Sequence, residues 1–143
     1  MWPVRYRPRT VSYLRARAVP WNEVIKTDEA KLLSELAQFT GTTQYHRSSF
    51  GSLLLTDGAH HLREQARCYW LIDIVESYQP QFGKVPFQLW SIDVAADRSA
   101  SVTMQEDTGL EPLVRQAVPY TDFPLKQYEF FCIDGVVLLK SEY

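Results

Sequence analysis

The sequence has 143 residues, the size of one domain, and 45% of them are apolar. Charged residues make up 22% and aromatic residues 13%, a composition that excludes an intrinsically disordered chain. No apolar run approaches the ~18 residues of a membrane span, and two cysteines do not form a disulfide framework. The composition therefore predicts a cytoplasmic protein that does not associate with membranes.

Charge is divided unevenly along the chain. Residues 1–20 carry a charge of +5 without a single acid, whereas the remaining residues sum to −7. We therefore divide the chain into a basic arm, residues 1–26, and a single domain, residues 27–143. The basic residues of the arm are Arg5, Arg7, Arg9, Arg15 and Arg17.

Several interpretations of this arm stay open. A flexible extension is one, since chain termini are often not packed against the domain. The arginines all occupy odd positions, which is strand spacing, so the arm could also lie along its own acidic body or a neighbouring subunit. It could instead contact nucleic-acid phosphates, although an acidic body argues against that partner. The prolines Pro3, Pro8 and Pro20 argue against the amphipathic helix of a transit peptide.

The first half of the domain is predicted to be mainly helical. Thr27 is a suitable N-cap for a helix whose apolar stripe is Leu32, Leu33 and Leu36. A short strand is predicted over 50–55. Asp57 is a suitable cap for a long central helix, predicted from about residue 59 to residue 78. The second half of this helix is apolar nearly all round, so it should be buried.

The second half of the chain changes to a period of two, which indicates strands. These are predicted over 85–94, with a bulge between Leu89 and Trp90, then 100–104 and 113–118. The last two strands, 127–133 and 136–139, form a hairpin across Asp134-Gly135. The fold class is therefore α+β, with the two helices packed on an antiparallel meander of four to five strands.

The last hairpin is apolar on both faces. Along its first strand, apolar side chains point alternately to the two faces of the sheet, and every residue of its second strand is apolar. A sheet covered by helices on one side should be polar on the other, so something must cover the second face. The N-terminal helix, a second subunit or a ligand could do so. The candidate interface residues are Tyr128, Phe130, Phe131, Val137 and Leu139.

Six ordered blocks resemble a known family of small bacterial proteins. The blocks are QFTGTTQYHR (38–47), LLLTDG (53–58), YWLIDIVESYQ (69–79), VPFQLWSIDV (85–94), YTDFPL (120–125) and IDGVVLLKSEY (133–143). Members of this family are often carried on mobile DNA, and the family is a domain of unknown function. The resemblance runs from about Leu33 to the end of the sequence and implies no activity, cofactor or catalytic residue.

A candidate pocket is predicted from polar residues of the first half. The loop 40–47 brings together hydroxyl groups, an imidazole and a guanidinium. Asp73 interrupts an apolar helix, so its carboxylate must be paired, hydrogen-bonded or protonated. It could be a general acid, but anchoring the sheet or a loop is the commoner role. The candidate pocket residues are Thr42, Tyr45, His46, Arg47, His60 and Asp73.

No metal, cofactor or catalytic residue set is predicted. His60 and Glu64 have the spacing of two metal ligands on a helix, but a site needs three or four. The preferred function is a small interaction or regulatory module that forms a homodimer and has no identified catalytic activity, with an unidentified protein partner also possible. Two alternatives stay open, namely a small-molecule-binding protein or enzyme that uses the candidate pocket, and a nucleic-acid-binding protein that uses the arm.

Overall fold

A computed structural model describes residues 21–143 of the chain, with side chains from Asp28 onward. It contains four α-helices and one seven-stranded sheet. The helices are α1 (Trp21–Ala37), α2 (Asp57–Gln65), α3 (Tyr69–Ser77) and α4 (Gln79–Phe82). The strands are β1 (His46–Arg47), β2 (Leu54–Leu55), β3 (Phe87–Val94), β4 (Ala100–Gln105), β5 (Val114–Val118), β6 (Gln127–Ile133) and β7 (Val136–Leu139), and a 3-10 helix, Lys140–Glu142, follows β7.

The sheet is larger than predicted and is not a simple antiparallel meander. Its strand order is β1-β2-β7-β6-β3-β4-β5, and β2 runs parallel to β7 while every other pair is antiparallel. The meander prediction was wrong because β6 pairs with β3 rather than with β5. The strand count was low for two reasons. β1 has two residues, too few for a period-two pattern to be visible, and the strand predicted over 50–55, which the structure limits to Leu54–Leu55, was not expected to join the meander.

The predicted central helix is two helices separated by a break. Arg67 has a φ of 52°, and the Cys68 amide donates to the Arg63 carbonyl at 3.1 Å, so the chain turns before α3 begins. The N-cap of α2 is Thr56 rather than Asp57, since the Thr56 side chain accepts from the Ala59 amide. The prediction of one continuous helix was therefore wrong. The break was not foreseen because the sequence contains no glycine or proline there to indicate it.

The helices cover one face of the sheet and form the core there. The largest side chains of that core come from the middle strands, and α2 and α3 add aliphatic residues; they include Trp90, Ile92, Met104, Phe130, Leu139, Leu62, Leu71 and Ile72. Helix α1 begins at Trp21 rather than after Thr27, and it buries Leu32 and Leu36. Leu33, predicted to lie with them, is 45% exposed.

Strand β3 has no bulge. Leu89 to Val94 pair residue for residue with β4, and Phe87 to Asp93 pair in the same way with β6. The apparent shift of phase arises because β3 lies inside the sheet and its residues 88–92 are all buried. Gln88 is buried on the helix-covered side, where its amide bonds with Gln79 and Trp90 satisfy it.

The predicted β6–β7 hairpin is confirmed. Asp134 and Gly135 both have positive φ, 49° and 82°, as a tight two-residue turn requires. Phe130 pairs with Leu139 and Ile133 pairs with Val136. Alternation along the strand places Phe130 on the helix-covered face and Ile133 on the opposite face. Along the described part of the chain, none of the helices combines the length and apolar character needed to cross a membrane.

Candidate functional site

Three residues of the predicted pocket, Thr42, His46 and His60, come together where the sheet ends at β1. His46 lies on β1 opposite Leu55, so it shares the helix-covered face with that core residue. His60 lies on α2, and its ring stacks on that of His46 with a centroid distance of 3.9 Å and an interplanar angle of 7°. This arrangement places two imidazoles in direct contact.

Asp57 fixes the orientation of His46. One carboxylate oxygen of Asp57 lies 3.0 Å from His46 Nε2, and the other accepts from the amide and hydroxyl of Thr43 at 2.9 and 3.0 Å. The hydroxyl of Thr42 accepts from the Asp57 amide at 2.8 Å. The bonds from the Thr43 amide and from His46 hold the pKa of Asp57 well below its ordinary value. The ionised carboxylate can only accept, so His46 carries a proton on Nε2.

Arg63 fixes the orientation of His60. This arginine is buried, and its Nη2 lies 3.2 Å from His60 Nδ1. A guanidinium has no acceptor, so Nδ1 of His60 accepts and the proton of the neutral ring is on Nε2. Burial lowers the pKa of His60, and the charges of His46 and Arg63 lower it further. Arg63 also donates to the Arg47 carbonyl at 3.1 Å and lies over the Tyr69 ring, 4.5 Å from its centroid.

The other predicted pocket residues lie elsewhere. Tyr45 is exposed, and Arg47 is exposed on the opposite face of β1, where it donates to the Gly51 carbonyl. Asp73 is half-buried on α3, and its Oδ1 is buried without a hydrogen-bond partner among residues 28–143. The five arginines Arg5, Arg7, Arg9, Arg15 and Arg17, predicted as nucleic-acid contacts, lie outside the described residues.

The candidate pocket residues predicted from the sequence did not include Asp57 or Arg63. Asp57 was interpreted as a helix cap, and Arg63 was not singled out. The sequence does contain a signal for Arg63. This arginine follows His60 by three residues, a spacing that places both side chains on the same side of a helix. In the described part of the chain, no group of three His, Cys, Asp or Glu residues is placed to hold a metal ion.

A buried glutamate anchors the loop between β1 and β2. Glu76, on α3, accepts from the hydroxyls of Ser48 and Ser52 and from the amides of Phe50 and Ser52, at 2.5 to 3.1 Å. Burial alone would raise the pKa of Glu76, but these hydrogen bonds outweigh it and hold the pKa below its ordinary value. The ionised carboxylate thus fixes the loop that joins the strand of His46 to the strand of Leu54.

The sheet face opposite the helices, called the open face here, carries an apolar patch. Its members project from β2, β3, β6 and β7 on the side away from the core: Leu54, Phe87, Phe131, Ile133, Val136 and Leu138. Tyr143 completes it, with ring centroids 5.9 Å from Phe87 and 5.4 Å from Phe131. A groove of about 450 Å³ adjoins the patch and is lined by Thr42, Tyr45, Thr56, Ile133, Val136, Leu138, Glu142 and Tyr143.

The other half of the open face is polar. Strands β4 and β5 present Ser101, Thr103, Gln105 and Arg115 there, none of them fully buried. The apolar patch is therefore confined to the half of the sheet that contains the β6–β7 hairpin. This is an unusual distribution for a face in contact with water, where a regular alternation of polar side chains is expected.

The predicted interface residues divide between the two faces. Phe130, Val137 and Leu139 are fully buried in the protein's own core, and Tyr128 is half-buried on the same helix-covered face. Burial raises the pKa of Tyr128 to about 12, and Glu142 adds to that shift. Phe131 lies within the apolar patch. Of the five predicted residues, Phe131 is thus the one available to a partner on the open face.

Comparison with known proteins gives one match. Residues 30–143 match the model of a family of unknown function, DUF6876. Neither a curated protein nor a solved structure shows significant similarity to the chain.

Proposed function

The chain belongs to DUF6876, a family of unknown function, and we propose from the geometry of its sheet that it is an interaction module that forms a homodimer through the apolar patch. A single observation supports this proposal: the helices of residues 21–143 bury one face of the sheet, while the opposite face bears the patch. Removing apolar surface from water stabilises an assembly by roughly 25 cal/mol per Å². Two sheets that pack face to face are a common way to achieve this burial.

Charge at the borders of the patch favours a second copy as the partner. Arg47 lies on the open face at the β1 border, and Asp93 is exposed on the same face of β3. A two-fold axis that lies between the two sheets and runs diagonally to the strands would exchange the positions of Arg47 and Asp93 between the copies, with the strands of the two sheets crossing. Arg47 of each copy would then face the partner's Asp93 across the patch. Such a contact is isologous and closes at two subunits.

A charge introduced into the patch should dissociate this dimer. Leu138→Glu places a carboxylate on the open face of β7, where the dimer would bury it without a partner. We expect the dissociation constant to rise about a hundredfold, since burial of an unpaired charge costs several kcal/mol. Light scattering over a concentration series measures the change, and circular dichroism verifies that the variant is folded.

Ala117→Glu is the matched control. Ala117 is exposed on the same face but on the edge strand β5, in the half of the sheet away from the patch. This variant should keep the mass of the wild type. Val136→Lys is a second patch variant, for use if Leu138→Glu does not fold, and it should dissociate in the same way. Patch variants that are folded and retain the wild-type mass would contradict the proposal, as would equal dissociation of the control.

A further inference from the structure

The stacked histidines are separate from the apolar patch, so dimer formation through the patch gives them no role. His46 and His60 lie on the helix-covered side of the sheet, whereas the patch lies on the open face. About a quarter of the His46 side chain is exposed, and His60 is half-buried. The two rings are therefore in the outer layer of the protein, within reach of solvent and of a dissolved ligand.

Each ring has one nitrogen occupied and one nitrogen available. Nε2 of His46 is bonded to Asp57, and Nδ1 of His60 is bonded to Arg63. Among residues 28–143, no side chain or backbone group bonds to Nδ1 of His46 or to Nε2 of His60. Because Arg63 can only donate, the available nitrogen of His60 is an N–H donor. The available nitrogen of His46 is a lone pair in the neutral ring and an N–H donor in the imidazolium.

A buried guanidinium places a fixed positive charge beside the rings. Asp57 is ionised and opposes the charge of a protonated His46, as an acid beside an imidazolium does. Asp57, Arg63 and the two histidines sum to zero when His46 is neutral and to +1 when it is an imidazolium, and the exposed Glu64, 3.9 Å from Arg63 Nε, contributes one negative charge nearby.

We propose that His46 and His60 form a binding site for an oxyanion, the phosphate or carboxylate group of a small ligand. His60 Nε2–H and the Nδ1–H of protonated His46 donate to two oxygens of the group. The ring centroids are 3.9 Å apart, a spacing that one anion with two oxygens can bridge. Asp57 is a positioning residue, because it holds His46 in orientation and balances the charge of its imidazolium.

Nuclear magnetic resonance of the imidazole nitrogens tests this site in the full chain. The protein has three histidines, and His61 is an internal control because it follows His60 on α2 and is bonded to Glu35 through Nε2 at 3.0 Å. Inorganic phosphate and sodium acetate are titrated separately, with sodium chloride at equal ionic strength as the reference. We expect saturable shifts of the His46 and His60 signals and none of the His61 signals. Tighter binding of phosphate or of acetate identifies the group that the site prefers.

Two variants separate the site from general anion effects. Asp57→Asn should weaken phosphate or acetate binding about tenfold, because the imidazolium loses its counter-charge. Glu35→Gln makes the same kind of change beside His61 and should leave binding unchanged. His60→Ala is the second variant if Asp57→Asn does not fold, and it should abolish the saturable shift of His46. The proposal is overturned if neither anion gives a saturable shift, if His61 responds equally, or if His60 carries its proton on Nδ1.

Discussion

Replacing Glu76 with alanine is expected to lower the free energy of unfolding by about 3 kcal/mol. The carboxylate accepts from Ser48, Phe50 and Ser52, and its loss leaves these donors without an acceptor in a part-buried loop. Each unsatisfied buried donor costs roughly 1 to 3 kcal/mol, reduced where water can enter. Urea denaturation of the wild type and the variant at neutral pH measures the difference. Because this loop joins β1 to β2, local opening should also release His46.

The control for this prediction is Glu111→Ala. Glu111 is exposed and makes no hydrogen bond or ion pair within the described residues, so its removal should change the free energy of unfolding by less than about 0.5 kcal/mol. Similar losses in both variants would show that the loop is not anchored by Glu76.

Acid should remove the stabilisation that Glu76 provides. Its pKa in the folded protein is below the ordinary value of 4.5, so its contribution is fully present above that pH. The contribution is lost as the pH falls through the lower folded-state pKa. Asp57 and Asp97 are shifted in the same direction and add to the loss. The stability of Glu76→Gln should therefore depend less on pH below 4.5 than that of the wild type, which denaturation curves at several acidic pH values would measure.

Gly58→Ala is expected to destabilise the protein by about 2 kcal/mol, although alanine usually stabilises a helix relative to glycine. A Cβ at Gly58 would lie 2.5 Å from Glu142 Oε1 and 2.7 Å from Leu139 Cδ1. That carboxylate cannot move freely, since it accepts from the Thr56 hydroxyl and from the amides of Gly58 and Leu139. The added methyl group would therefore separate the 3-10 helix from the start of α2, and thermal unfolding measures the loss.

Gly41→Ala is the matched control. A Cβ at Gly41 meets nothing within 4 Å, so this variant should be neutral or slightly stabilising. In a Glu142→Ala background, Gly58→Ala should cost less than in the wild type, because one of its two clashes has gone. An additive result would show that Glu142 is not the obstacle.

Much of the sheet follows from local sequence, because its signals are contained within short segments. Asp134-Gly135 between two apolar strands specifies a tight hairpin, and alternation along 127–133 assigns Phe131 and Ile133 to the face opposite Phe130. The pairing of strands that are distant in sequence does not follow from such local signals. The dipeptides of β1 and β2 become strands only because β7 provides an edge on which β2 can lie.

The candidate site was predicted in part for the same reason. Thr42, His46 and His60 were grouped as polar residues near one another in sequence, and the fold brings them together. Asp73 was included because a carboxylate in an apolar helix must be paired, hydrogen-bonded or protonated. The structure instead gives the loop-anchoring role to Glu76, one turn further along α3. Helix periodicity alone does not distinguish these two acids, because the donors come from a loop more than twenty residues away.

The mass of the full-length wild-type protein in solution tests the proposed dimer most directly. Light scattering should be recorded at two protein concentrations that differ about tenfold, at neutral pH and moderate salt. An apolar patch on the open face that is buried in a symmetric contact predicts twice the chain mass at the higher concentration. The mass of a single chain at both concentrations would contradict the account and show that a second copy does not cover this face.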